Sequence, residues 1–395
     1  MFSPINLQPS TIDLSGRPEA GLTGDRCMRI TSIHVYQVDL PVVGGAYCMA
    51  STTVASLDST IVEVVTDARM SGYGETCPVG PVYQPQHALG ARAGLQEMAQ
   101  GLIGHNPMHI EQIRTIMEQS LNGTRYAKAA VDMACWDIMG KATGTRVCEL
   151  LGGSFREEVP SYYSIDVMPP EEAVERAREK VGQGFTRLQL KVGGRSLEED
   201  VAAIRKVSEV LRPEVGLAVD ANRGWTSRDV KLVSLQCRDL PLVLEQPCSS
   251  YEEILALKGL IHHPVFLDES AEDIRVVLRA VGDRSVDGFG IKCTRVGGIS
   301  AMRTIRDVCR AVRLPMTCDD SWGGDVIASA CAHLGATVEP GLFEGTWIAA
   351  PYIQGHYDDQ NGPRLKGGKI VLPQEPGLGI VPDVSRWGKP VMSFG

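Results

Sequence analysis

Between residues 159 and 320, seven short apolar runs recur at near-constant spacing, with helical patterns between them. No other feature limits the possible folds as strongly. The runs are VPSYYSID (159–166), RLQLKV (187–192), GLAVDAN (216–222), LVLEQP (242–247), VFLDES (265–270), GFGIKCT (288–294) and PMTCDD (315–320). Amphipathic patterns cover 170–184, 197–212, 251–260, 271–282, 299–313 and 325–335. Strands joined through helices make right-handed crossovers, and the result is a parallel sheet. Seven such strands, with a weaker eighth near 338–344, predict an α/β architecture closed into a (β/α) barrel over 156–345.

The residues before this region read differently. RITSIHVYQVDL (29–40) alternates apolar and polar residues, as a half-buried strand does. STIVEVVTD (59–67) runs through a turn into GYGETCP (72–78), giving an antiparallel meander. Helices are predicted at 87–102, 108–121 and 124–141, the last with Ala129, Ala130, Met133, Ala134 and Trp136 on one wide apolar face. Residues 28–155 therefore form an α+β domain, and the segment 346–395 is expected to pack back on it. The first 27 residues hold Pro4, Pro9 and Pro18 without apolar periodicity and predict a poorly structured extension. They lack the basic start and apolar core of a secretory signal.

A net charge of -9 repels phosphate backbones and argues against nucleic acid as a partner. The 11 cysteines include no C-x-x-C pair, which predicts buried free thiols in a reducing, cytoplasmic setting. No run approaches the roughly 20 apolar residues of a membrane span.

From the second run to the seventh, each carries a charged residue at or near its end: Lys191, Asp220, Glu245, Asp268, Lys292 and Asp319. Their separations of 29, 25, 23, 24 and 27 residues are each about one β–α unit. All six groups thus converge on the carboxyl-terminal mouth, where barrels carry their sites. Asp220, Glu245 and Asp268 end three consecutive strands, so their carboxylates repel and raise one another's pKa. A hard cation relieves that repulsion, and an all-oxygen site suits Mg²⁺, with Mn²⁺ the next choice. Taken singly, each acid is as readily the partner of a nearby Lys or Arg. Three in register with two lysines are harder to explain that way.

Lys191 and Lys292 flank the acidic strands and face each other across the mouth. A lysine turned inward costs desolvation. Near a metal and other cations its pKa is expected to fall toward neutrality, where it acts as a base. One lysine on each face of a bound carboxylate permits two-sided proton transfer at the α-carbon, through an enediolate.

LQLKVGG (188–194), VDAN (219–222), LEQP (244–247), LDES (267–270) and IKCTRVGG (291–298) resemble the muconate-lactonizing subgroup of the enolase superfamily over nearly the whole chain from Met28. The resemblance implies a modified TIM barrel with an N-terminal capping domain, bases at Lys191 and Lys292, and metal ligands at Asp220, Glu245 and Asp268. It also implies a small carboxylate substrate and a homo-oligomer. One departure is Gln189, where the family often has lysine. Losing that charge is expected to leave Lys191 with a higher pKa. The seventh run has no histidine, which disfavours mandelate-racemase chemistry.

Within the subgroup, ASTTVASLDST (50–60), GETCPVGPVY (74–83), CDDSWGGD (318–325) and EGTWIAAPY (344–352) are similar to 4-hydroxyproline betaine 2-epimerases and cis-3-hydroxy-L-proline dehydratases. The match implies that Tyr83, Asp319 and Trp347 hold a cationic proline derivative, although Trp347 also reads as core packing and Tyr83 as a loop residue. A quaternary ammonium has no N–H and is best held by aromatic faces and a carboxylate. Epimerisation of a proline betaine is the expected activity and dehydration of cis-3-hydroxy-L-proline the alternative. A non-catalytic binding protein on a retired barrel is the remote third reading.

Other motifs add little. KVGG and RVGG lack the phosphate-loop pattern, and no H-x-H or H-E-x-x-H zinc motif is present. His262 and His263 are expected at the surface, in a helix-to-strand turn. The loops over 44–60 and 76–86 are expected to close over the barrel mouth and set specificity.

Overall fold

The computed structural model describes residues 28–395, so the extension predicted over 1–27 lies outside the described residues. The first unit is an antiparallel sheet in the order Met392–Phe394, Ile30–Pro41, Ser56–Thr66, Ser71–Thr76. Ile33 and Val35 alternate inward on one strand, opposite Val64 and Val62 on the next. Helix Arg125–Thr143 lies on this sheet at the closest approach a backbone allows. A Cβ on Gly74 would stand 1.7 Å from the Ala130 carbonyl oxygen and one on Gly72 2.2 Å from that of Ala134. The two glycines and the alanine face of the helix are therefore one feature.

The barrel sheet runs Tyr163–Ile165, Arg187–Lys191, Gly216–Asp220, Leu242–Glu245, Val265–Leu267, Gly288–Lys292 and Met316–Asp319, all parallel and in sequence order. Isolated parallel bridges Met316–Phe343 and Ser161–Thr346 close it into a barrel. The closing stretch thus lies at 343–346, later than the predicted 338–344. Pro340 and Gly341 start a 3₁₀ turn, Pro340–Leu342, that delays it. The first run is also divided. Glu158–Pro160 pairs antiparallel with Lys369–Val371 outside the barrel, and only Tyr163–Ile165 enters it.

Two local readings need correction, and one helix is added. Residues 44–60 are not all loop, because Tyr47–Cys48 and Thr53–Val54 form a short hairpin and Ser56 already begins a strand. His262 is exposed, but His263 is buried, with Ser234 Oγ 2.9 Å from Nδ1 and the Cys237 carbonyl 3.1 Å from Nε2. A helix at Ser227–Gln236 completes the third β–α unit. The ten described cysteines are free thiols, and all but Cys48 are buried.

Helix Asp325–Ala336 is buried along its whole length between the two domains. Its N-terminus is held by Glu75 of the first domain, whose carboxylate accepts from the Gly324 N–H at 2.8 Å and the Ile327 N–H at 3.2 Å. Ser59 Oγ at 2.6 Å and Tyr357 Oη at 2.9 Å donate to the same group. Burial raises the Glu75 pKa, while these donors pull it down. Glu75→Ala would orphan several buried donors at once. We expect it to lower unfolding free energy by about 3–5 kcal/mol, read as a lower urea midpoint.

Candidate active site

Strand register sets the site. Lys191 pairs with Asp220 and Asp220 with Glu245 on neighbouring strands, Lys292 pairs with Asp319, and Asp268 follows Leu267 directly. Carboxylate oxygens of Asp220, Glu245 and Asp268 lie within 4.8 Å of one another, and all three residues are buried. Burial, then the charges of Asp220 and Asp268, push the Glu245 carboxyl up to about 7. Asp268 behaves oppositely. Burial would raise it, but Lys292 Nζ at 2.9 Å and Arg295 Nη1 at 2.7 Å hold it well below the usual carboxylate range.

The surroundings fit a hard divalent cation at these three acids. Asn222 Nδ2 donates to Asp220 Oδ2 and to Glu269 Oε1, each at 3.0 Å. That leaves Asn222 Oδ1 and Glu269 Oε2 buried without a hydrogen-bond partner. Burial and the neighbouring Asp268 and Asp220 push Glu269 up to about 8. An excess of buried oxygen acceptors with too few donors is what a cation corrects.

Each lysine meets one of the clustered acids. Lys191 donates to Asp220 Oδ2 and Lys292 to Asp268 Oδ2. Burial would lower both ammonium groups, but contact with the carboxylates outweighs it and both stand above the ordinary lysine value. The acids are the lysines' counter-charge. Gln189 donates from Nε2 to Glu245 Oε2 at 2.9 Å, so it supplies a hydrogen bond where the family often has a charge.

Lys191, Lys292, Tyr83 and Trp347 line one cavity of about 30 Å³, with Tyr47 and Trp322 among its other walls. Tyr83 Oη donates to Asp268 Oδ2 at 3.1 Å, which ties the 76–86 segment to the acidic floor. Arg223 braces that segment by donating to the carbonyls of Val82, at 3.2 Å, and Tyr83. Trp347 stacks on Tyr352 with centroids 5.3 Å apart and meets Trp322 edge-on at 5.5 Å. Asp319 lies behind this wall. It accepts from Tyr162 Oη at 2.9 Å, from the Trp347 N–H at 2.7 Å and from Thr317 Oγ1.

Sequence reasoning missed Arg295, Glu269, Tyr47 and Trp322. Arg295 and Trp322 lie inside IKCTRVGG and CDDSWGGD, but nothing in their spacing marks them. Only the fold turns them inward.

Residues 172–386 match the family described as enolase C-terminal domain-like. Residues 32–152 match the mandelate racemase/muconate lactonizing enzyme N-terminal domain. The chain belongs to the enolase superfamily. Its superfamily relatives include a cis-3-hydroxy-L-proline dehydratase from Roseibium aggregatum, 38% identical over 93% of this chain and 100% of that one. Another is an N-succinyl-L-Arg/Lys racemase from Bacillus cereus, 30% identical over 69% of this chain and 74% of its own length. A superfamily structure from Roseovarius nubinhibens ISM, complexed with magnesium, superposes with a TM-score of 0.89 at 32% identity, covering 93% and 99% of the two chains. This enolase-superfamily chain is thus a modified TIM barrel under an N-terminal capping domain. No helix of the described residues is long and apolar enough to cross a membrane.

A pH dependence follows from Glu245. Its carboxyl holds a proton up to about pH 7, and a cation must displace that proton. Divalent-metal affinity is therefore expected to rise with pH to about 7 and then level off, measured by calorimetric titration with Mg²⁺. Without metal the sign reverses. A raised carboxyl pKa contributes stability below its unfolded value, and that contribution is lost as pH rises through about 7.

Proposed function

We propose that this protein removes the proton α to the carboxylate of a small proline-type substrate and delivers a proton from a second base to the other face. The net reaction is 2-epimerisation of proline betaine or hydroxyproline betaine. The observation that carries this reading is the placement of Lys191 and Lys292 in one cavity, on strands either side of three clustered carboxylates. Lys191 takes the proton from one enantiomer and Lys292 from the other, and each reprotonates the face it serves.

Asp220, Glu245 and Asp268 would hold Mg²⁺, or Mn²⁺, which supplies positive charge against the charge that develops on the substrate carboxylate. The Trp347 and Tyr83 rings would face the cationic nitrogen, with the Asp319 charge behind them.

A second reading is dehydration of cis-3-hydroxy-L-proline, supported by the name of the Roseibium relative. The same bases serve, with Lys292 protonating the departing hydroxyl. Proton NMR in D₂O with Mg²⁺ separates the two. Loss of a betaine α-proton signal with racemised product establishes epimerisation. Conversion of cis-3-hydroxy-L-proline to a ring imine, without betaine exchange, replaces it with dehydration. Mg²⁺ at about a hundred times its Kd should stabilise the fold by about 2.7 kcal/mol, seen as a higher Tm. An unmoved Tm would count against the catalytic reading.

A further inference from the structure

Tyr47 enters the cavity from the short hairpin over 47–54 and stands within electrostatic reach of Lys191. Its hydroxyl belongs to a chain of hydrogen bonds whose direction can be assigned. Gln189 Nε2 donates to Glu245 Oε2 at 2.9 Å, which turns the amide oxygen away from Glu245. Gln189 Oε1 then faces Ser164 Oγ at 2.7 Å and takes the serine's one proton. Tyr47 Oη is 2.8 Å from the same Ser164 Oγ. The serine has no second proton to give, so the phenol is the donor.

The Tyr47 proton is therefore spent within the wall. No described hydrogen bond brings a donor to Oη, so it is left with free acceptor capacity in a wall that also carries Lys191. Burial raises the phenol pKa, which keeps the group protonated and the direction of the chain intact. Tyr83 and Tyr162 donate directly to Asp268 and Asp319. Tyr47 is set instead among rings, edge-on to Trp322 at 5.4 Å and to Tyr352 at 5.5 Å. A substrate with its carboxylate over the acids and its α-carbon between the lysines would extend its ring toward this wall.

We propose that Tyr47 Oη accepts a hydrogen bond from a hydroxyl on the substrate ring, which makes Tyr47 a specificity-determining residue for hydroxylated proline derivatives. The proposal rests on the reading of the site as one for proline-type carboxylates. It narrows that class to ring-hydroxylated members.

The test is isothermal calorimetry with the Mg²⁺-loaded protein, wild type and Tyr47→Phe. The ligands are two pairs: hydroxyproline betaine with proline betaine, and cis-3-hydroxy-L-proline with L-proline. Wild type should bind the hydroxylated member of at least one pair about tenfold tighter, the worth of one hydrogen bond to a buried acceptor. Tyr47→Phe should erase that preference and move the unsubstituted member by less than about threefold.

Equal weakening of both members, a preference that survives in Tyr47→Phe, or a loss that follows the ammonium N–H instead of the hydroxyl would each overturn the assignment. So would a wild type that binds both members alike, which leaves the proline-type reading intact. A wild type that binds none of the four overturns both. If Tyr47→Phe does not fold, Ser164→Ala removes the anchor of the phenol and makes the same comparison.

Discussion

Lys191→Ala and Lys292→Ala should each lower net epimerisation by more than about a thousandfold, while the fold and metal binding persist. General acid–base groups contribute on the order of 10²–10⁴ in rate. The upper part of that range applies because the cavity offers no substitute base on either face. Gln189 and Ser164 are neutral and committed to each other and to Glu245, and Asp319 is held by three donors. Removing Lys191 leaves Asp220 without its ammonium, so the metal-free variant should be less stable and gain more from Mg²⁺ than wild type. Steady-state rates with both betaine enantiomers, beside melting curves with and without Mg²⁺, check both points. A variant that keeps a tenth of wild-type turnover would remove that lysine from the mechanism.

Arg295→Met should produce the largest loss of stability among the site variants, about 3–5 kcal/mol without metal. The guanidinium is 2% exposed and makes three hydrogen bonds: to Asp268 Oδ1 at 2.7 Å, the Gly290 carbonyl at 2.7 Å and the Ala271 carbonyl at 3.3 Å. Methionine fills much of the volume but leaves two carbonyls and part of a carboxylate unpaired inside the barrel. Lys292 still neutralises Asp268, which keeps the loss short of a fully isolated buried charge. The Asp268 carboxyl should rise toward its ordinary range, because one of the two cations that hold it down is gone. Urea unfolding measures the stability change, with an unchanged m-value showing that the folded state stays compact. A change under about 1 kcal/mol would mean the arginine's interactions merely offset its desolvation.

What the sequence makes legible follows from which features are periodic. The barrel could be read because six charged residues recur about one β–α unit apart, and register then brings Lys191, Asp220 and Glu245 side by side. The helix at Ser227–Gln236 was also within reach. Thr226 and Asp229 form a reciprocal capping box, and the pattern T-S-R-D announces it. Glu158–Pro160 could not be separated from Tyr163–Ile165, because its partner at 369–371 is some 210 residues away.

The substrate wall was the least legible part. The resemblance places Asp319 with Tyr83 and Trp347 as a holder of the substrate cation. Its contacts with Tyr162, Thr317 and Trp347 depend on side-chain directions that no spacing encodes. The lysine contacts are illegible for a related reason. Spacing brings Lys191 and Lys292 to the mouth but does not encode which carboxylate each ammonium touches.

The most direct test of the two-lysine account is deuterium exchange at the α-carbon in D₂O with Mg²⁺, followed by NMR for each betaine enantiomer separately. Wild type should exchange both enantiomers. Lys191→Ala should exchange only one, and Lys292→Ala only the other, because each variant keeps a base on a single face. Exchange of both enantiomers at wild-type rates in both variants would contradict the mechanism.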